Sequence, residues 1–257
     1  MGGESFLCRE LVGLFDLLLP PVCPLCGQNR PAWRGGICRH CLRGYPALPT
    51  GHCPRCSLPY ESPDSSVHLC GDCLRHQPEF ERVVTLGLFS GQLREAVHQL
   101  KFSRRPLLDR PLGAMLSRRL RGVLACPRET LFIPVPLHLK RLRQRTFNQS
   151  ALLARHLASR LHGRLDSDLL YRTRETPPQQ SIRAEQRHQN LRDAFTLSRS
   201  LQGERVVLVD DVMTTGATVG ECARVLRCGG AGQVVVAVLA RAPRFLAPTP
   251  TKDLSRI

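Results

Sequence analysis

Eight of the chain's 12 cysteines stand in four CxxC pairs inside one 51-residue stretch: Cys23–Cys26, Cys38–Cys41, Cys53–Cys56 and Cys70–Cys73. No other feature of the sequence restricts the fold as much. Two thiols at this spacing can bind one tetrahedral zinc, and two such pairs close a four-cysteine structural site. The gaps within the two halves are similar, 11 residues between Cys26 and Cys38 and 13 between Cys56 and Cys70. "CPLCG" and "CPRCS" read as tight knuckles, and "CRHCLRGYP" and "CGDCLRHQP" as a pair feeding a short helix. The pattern is an internal repeat and predicts two successive zinc ribbons over residues 21–80, holding two structural zinc ions. Spacing leaves open whether adjacent or crossed pairs share an ion. A disulfide framework fits poorly, because the sequence shows no export signal and a large core follows. A redox CxxC would need one pair rather than four. His40, His52, His68 and His76 lie nearby, but eight thiolates already complete two sites. Cys8, Cys126, Cys222 and Cys228 read as ordinary buried or helix-face thiols. With so few apolar residues, the module draws much of its folding free energy from metal.

The rest of the 257 residues leaves room for one sizeable α/β domain. No apolar run approaches the roughly 20 residues needed to span a bilayer, so no transmembrane segment is expected. Residues 1–20 place Leu7, Leu11, Leu14 and Leu18 at helical spacing, interrupted by Arg9, Glu10 and Asp16. They predict a short amphipathic helix ended by Pro20 and Pro21, not an export signal. Charge divides the chain unevenly. Residues 1–80 hold 7 Arg against 7 Asp+Glu, whereas residues 81–257 hold 30 Lys+Arg against 14 Asp+Glu and so carry the whole net charge of +16. Only three of the basic residues are lysines (Lys101, Lys140 and Lys252). Coding bias accounts for the preference for arginine over lysine, but not for the confinement of the excess to one part. Planar guanidinium groups bind phosphate bidentately and attract polyanions.

Beyond residue 81 apolar strands alternate with helices. "RVVTLGLF", "LFIPVPL", "RVVLVDD" and "QVVVAVLARA" read as strands. "QLREAVHQLKF", "PLLDRPLGAMLSRRLRGVL", "NQSALLARHLASRLHG" (stopped at Gly163) and "TVGECARVLRCGG" read as helices. Continuous Val/Leu strands alternating with helices predict a parallel sheet covered on both faces. Ligands of such sheets bind beyond the carboxyl ends of the strands, where Asp210 and Asp211 fall. Residues 243–257 read as a tail.

The stretch "VVLVDDVMTTGATV" joins the strand to a helix N-terminus. Free amides and a positive dipole end favour an anion there. Gly216 lets the backbone come close, and Thr214, Thr215 and Thr218 add hydroxyl donors. Two carboxylates cannot bind phosphate but suit the vicinal hydroxyls of a sugar, or a divalent cation. A ribose 5-phosphate satisfies both halves: its hydroxyls on Asp210 and Asp211, its phosphate on Met213, Thr214, Thr215, Gly216, Ala217 and Thr218. A helix cap would need only one aspartate.

This stretch resembles the 5-phosphoribosyl-1-pyrophosphate (PRPP) motif of type I phosphoribosyltransferases. Further segments resemble one branch of that family, the ComF/GntX group: the cysteine repeat, "FIPVPLHLKRLRQRTFNQSALLAR" and "RTRETPPQQSIRAEQRHQNLRDAF". Thr146 departs from the glycine usual in that group's "RGFNQ". The resemblance implies a type I phosphoribosyltransferase fold over residues 81–242, preceded by the double zinc ribbon. It implies a pyrophosphate loop at Leu137, His138, Leu139, Lys140 and Arg141, where exposed amides beside two cations suit that group. It also implies a flexible flap over residues 172–192 carrying Arg174, Arg183 and Arg187, longer than an ordinary connection. Mg2+ is expected to arrive with PRPP. The group implies a role in natural transformation, with single-stranded DNA and competence-machinery proteins as partners, in the cytoplasm or peripherally at the inner membrane. The basic part of the chain suits a DNA backbone. The low aromatic content, 5%, disfavours recognition by base stacking.

Some reactions are disfavoured. Phosphoribosyltransferases for 6-oxopurines place an aspartate where this chain has Thr214. A P-loop motor needs Gly-Lys, and none of the three lysines follows a glycine. Two readings remain from different classes: a PRPP-binding protein that handles DNA, and an active phosphoribosyltransferase with an unidentified acceptor and no DNA role.

Overall fold

A computed structural model describes residues 22–28, 36–60, 67–102, 108–137, 147–174 and 191–243. The predicted N-terminal helix lies outside the described residues, as does the tail beyond Pro243. Each knuckle closes with a backbone bond back to its first cysteine, Gly27 N–H to Cys23 O at 2.9 Å and Ser57 N–H to Cys53 O at 2.8 Å. The second pair of each half starts a short helix, α1 (Arg39–Arg43) and α2 (Gly71–His76), as the repeat predicts.

Five parallel strands follow: β1 (Arg82–Leu88), β2 (Thr130–Pro134), β3 (Arg164–Leu165), β6 (Arg205–Met213) and β7 (Gln233–Arg241), in the order β1-β7-β6-β2-β3. Two short strands, β4 (Leu170–Arg172) and β5 (Phe195–Leu197), form a separate antiparallel pair. The helices are α3 (Gly91–Phe102), α4 (Asp109–Arg121), α5 (Gln149–Leu161) and α6 (Ala217–Cys228). Side chains alternate along the strands into two apolar layers. Val207, Val209, Val235 and Ala237 face Leu93, Val97 and Leu100 of α3, Leu112 and Leu116 of α4, and Leu153 and Leu157 of α5. Val206, Leu208, Val234 and Val236 face Cys222, Ala223 and Leu226 of α6, together with Phe195. The strands are therefore buried on both sides, which is why they read as unbroken apolar runs.

The two ribbons straddle the β1 edge of this sheet. Cys23, Cys38 and Cys41 belong to the apolar layer of α3–α5, whereas Cys53, Cys56, Cys70 and Cys73 belong to the layer of α6. Their backbones also bind this edge at two points. Val83 N–H donates to Arg55 O at 2.7 Å and Leu88 N–H to Pro46 O at 2.9 Å. An open strand edge is a template for pairing with another chain, and these bonds occupy part of it.

Two expectations shift. The strand holding the aspartates does not stop at Asp211; β6 runs to Met213 because β7 keeps pairing with it up to Met213↔Arg241. Helix α5 does not end on a left-handed Gly163. His162 takes that conformation (φ 58°), and Gly163 is required instead by the Phe132 ring, which a Cβ there would strike.

Candidate functional site

Strands β2 and β6 are neighbours, yet the chain leaves them in opposite directions: β2 to β3 through α5, β6 to β7 through α6. This is the topological switch point of the sheet, where parallel α/β folds open a crevice. The last β2–β6 pairing is Pro134↔Val209. Asp210 is therefore the first residue of β6 beyond the reach of β2.

Three consecutive residues of "FNQS" build the wall facing it. Asn148 caps α5 by accepting the Ser150 amide at 3.0 Å, and its own amide nitrogen donates to Val135 O at 3.1 Å. Gln149, fully buried, donates to Lys101 O at 3.4 Å. Ser150 donates its hydroxyl to Asp210 Oδ1 at 3.0 Å. Across from it, Lys101 at the end of α3 pairs with Asp211 Oδ1 at 3.0 Å. Asp210 keeps part of its surface exposed. Enclosure of its carboxyl and the adjacent Asp211 charge nonetheless push its pKa up to about 7, against the opposing pull of the Asp211 amide, Lys101 and Ser150. Neither Lys101 nor Ser150 was singled out from sequence. The scarcity of lysine was the one available pointer to the first, and the resemblance of "FNQS" to the second.

After Met213, Thr214, Thr215 and Gly216 make a turn into α6. Gly216 sits at φ 87°, the left-handed region that favours glycine, and its missing side chain leaves room for the Met213 methyl. Thr214 is exposed, while Thr215, Gly216 and Thr218 are partly so; Met213 and Ala217 are buried, so only their backbones could take part in binding. Ala217 N–H donates to Thr215 Oγ1 at 3.4 Å. Beneath the turn lies Arg241, 2% exposed. It donates to Met213 O at 3.1 Å, to Thr214 O, to Ala242 O at 2.7 Å and to Cys56 O at 2.9 Å.

Of the residues assigned to a pyrophosphate loop, Leu137 follows β2 into the crevice region; His138, Leu139, Lys140 and Arg141 lie outside the described residues. Of the flap arginines, Arg183 and Arg187 also lie outside them. Arg174 is exposed, donates to Arg192 O at 3.0 Å, and so draws together the two ends of segment 174–192 where β4 and β5 pair.

The eight cysteines come together as Cys23, Cys26, Cys38, Cys41 and as Cys53, Cys56, Cys70, Cys73, so adjacent rather than crossed pairs share a site. Within each group the Sγ atoms lie within 4.8 Å of one another. The pairs Cys26–Cys38 at 3.9 Å and Cys56–Cys70 at 3.5 Å bracket the ~3.8 Å edge of a tetrahedron with Zn–S bonds of about 2.3 Å. The thiols of one group compete for protons. Hydrogen bonds from Cys56 and Cys73 drive the Cys53 thiol far down, and its bond to Cys53 drives Cys73 far up. A divalent ion would satisfy all four sulfurs at once, so these donors fit zinc. Cys222 is buried and Cys126 partly so, while Cys228 is exposed on its helix.

Fold and site together define a protein with a phosphoribosyltransferase-type domain behind a double zinc ribbon. A family model for the double zinc ribbon domain matches residues 14–74, and one for the phosphoribosyl transferase domain matches residues 148–252. Over 232 residues the chain is 40% identical to the DNA utilization protein YhgH of Escherichia coli O6:H1, covering 88% of this chain and 99% of that protein. It is 32% identical over 227 residues to Competence protein F of Haemophilus influenzae, covering 86% and 96%. Competence protein ComFC of Bacillus subtilis matches at 28% over 190 residues, covering 69% and 72%. The chain belongs to this family, the ComF/GntX group. No helix among the described residues is long and apolar enough to cross a membrane.

Proposed function

We propose that this protein binds PRPP, or a related ribose 5-phosphate ligand, at the switch point between β2 and β6, and that it assists the handling of single-stranded DNA during natural transformation. One observation carries the reading. The Asp210–Asp211 pair stands where β6 outruns β2, and a Thr-Thr-Gly turn leads from it within a few residues to the N-terminus of α6. Carboxylates accept hydrogen bonds from the 2- and 3-hydroxyls of the ribose, and the turn's amides and hydroxyls take the 5-phosphate. Mg2+ would arrive on the pyrophosphate and offset its charge, with the loop Leu137–Arg141 as the protein side of that contact. The flap arginines Arg174, Arg183 and Arg187 would close over the ligand. In this reading residues 21–80 are the zinc module and residues 81–242 the ligand domain. The DNA role is supported by the net charge of +16, all of it carried by residues 81–257, and by relatives named for competence and DNA utilization.

PRPP with Mg2+ is expected to raise the melting temperature of the intact protein, and Asp210→Ala with Asp211→Ala to abolish the rise. A wild-type protein that shows no shift would sink the ligand assignment. Single-stranded DNA binding by the full chain is expected to weaken linearly in log–log terms as salt rises. Binding that is indifferent to salt would remove the charge argument.

The alternative, an active phosphoribosyltransferase with an unidentified acceptor, is favoured by the Asp210 carboxyl, whose pKa near 7 suits a proton acceptor at neutral pH. Pyrophosphate release from PRPP in the presence of one base out of a panel would decide for it.

A further inference from the structure

Arg241 ends β7, a position where an arginine is usually solvated, yet it is 2% exposed. All four of its hydrogen-bond acceptors are carbonyl oxygens, and they come from different places. Cys56 lies in the second zinc knuckle, 185 residues away in sequence. Met213 and Thr214 lie at the mouth of the turn, and Ala242 follows in the chain. A buried cation needs nearby negative charge. Cys56 is also one of the four thiols of the second group, so zinc held there would bring a net negative charge near the knuckle that Arg241 grips.

The geometry at the turn has a consequence. A trans peptide points its carbonyl and its following N–H in opposite directions. With the Thr214 carbonyl fixed on Arg241, the Thr215 N–H of the same peptide unit is turned away from the knuckle. Anion binding by a turn depends on this orientation of its amides.

We propose that Arg241 is a positioning residue that ties the second zinc knuckle to the ribose-phosphate site, so that its grip on Cys56 O, Met213 O and Thr214 O sets the affinity of the turn for a phosphorylated ribose. The proposal rests on the reading of the turn as the 5-phosphate site. Among the described residues the first ribbon's bonds reach β1 and α3 instead, through Leu88, Gln92 and Gln99.

The test uses the intact zinc-loaded protein, Arg241→Gln and Arg241→Lys. It reads zinc content, amide hydrogen exchange of residues 213–219 against residues 149–161 of α5, and calorimetric binding of ribose 5-phosphate. Both variants are expected to keep two zinc ions per chain and to exchange faster in 213–219 alone. Binding of ribose 5-phosphate should fall at least about tenfold in Arg241→Gln, the scale of a lost charge-assisted network, and less in Arg241→Lys. Unchanged exchange and affinity in a zinc-loaded Arg241→Gln would overturn the proposal. If Arg241→Gln fails to fold, Arg241→Lys decides by the same two readouts. If the wild-type protein does not bind ribose 5-phosphate, the reading of the site falls, and with it the claim about affinity. The exchange of 213–219 then still decides whether Arg241 orders the turn.

Discussion

The first ribbon leaves Cys26 exposed and uses Gly27, at φ 69°, for the left-handed residue of its knuckle. The second buries all four thiols and uses Ser57 at φ 55° in the same place. A serine there carries backbone strain that glycine avoids. Its hydroxyl offsets part of that strain by donating to Val83 O at 2.9 Å, which hooks the knuckle to the edge strand. Both ribbons join the sheet's core, the first in the layer of α3–α5 and the second in the layer of α6, but only the second buries all four of its thiols. A repeat in sequence therefore need not be a repeat in energetics. The two halves pack against different faces of the sheet.

The largest expected difference follows from the metal ligands. Cys53→Ser is expected to cost more stability than Cys23→Ser, by at least ~3 kcal/mol, because all four thiols of its cluster are buried and its knuckle holds the buried guanidinium of Arg241 through Cys56 O. Urea denaturation of both variants at equal zinc stoichiometry measures it. Equal losses would mean that the two ribbons are energetically interchangeable.

Gly87→Ala probes the first ribbon's dock. A Cβ on Gly87 would strike the Pro46 carbonyl, a backbone atom that cannot swing aside. The expected cost is about 2 kcal/mol, with loss of the Leu88–Pro46 bond. A denaturation midpoint equal to that of the wild type would show that this ribbon is held by its metal and not by its dock.

The sequence carried the layers of this protein better than their joints. Val/Leu runs marked the strands because both faces of the sheet are covered. Four CxxC pairs marked two metal sites because thiolate geometry is strict. The acidic pair and the Thr-Thr-Gly turn marked the passage from β6 into α6, because charges and a left-handed glycine interrupt an apolar run. Contacts that carry no local pattern were illegible. Lys101 meets Asp211 across 110 positions, and Arg241 meets Cys56 across 185. An arginine after an apolar strand looks like a solvated end until the knuckle is folded over it. The pairing of CxxC units was also undecided by spacing, since a chain can close the 26- and 28-residue loops of crossed pairs as well as the 11- and 13-residue loops of adjacent ones. His162 took the left-handed place expected of Gly163 because the Phe132 ring imposes a separate demand on that glycine.

Helix α3 links the first ribbon to the acidic pair, holding Leu25 O through Gln99 and Asp211 through Lys101, and Lys101→Met tests that route. A carboxyl whose folded pKa lies above its unfolded value binds more protons when folded, so stability falls as pH rises toward the folded pKa. For Asp210 the window runs from about 4 to about 7. Lys101 is one of the charges holding that pKa down. Its removal should push Asp210 higher, extend the window above pH 7, and destabilise the protein by ~1–2 kcal/mol at pH 8, with recovery on lowering the pH to 6. Melting temperatures at the two pH values, taken with zinc present, measure the effect. A loss independent of pH would assign Lys101 a packing role alone.

The smallest effects set one tie of each ribbon against its counterpart. Ser57→Ala removes the buried hydroxyl that holds the second knuckle to Val83 O and keeps the strained backbone, at an expected cost of ~1.5 kcal/mol. Gln99→Ala removes the bond from α3 to Leu25 O, which is only partly buried and longer, 3.2 Å, so water can replace it; about 0.5 kcal/mol is expected. The ratio matters more than either value. If Gln99→Ala costs as much as Ser57→Ala, the first ribbon is bound to the fold as tightly as the second, and the difference between them reduces to Arg241. A ratio near three would place the difference in the whole of each dock.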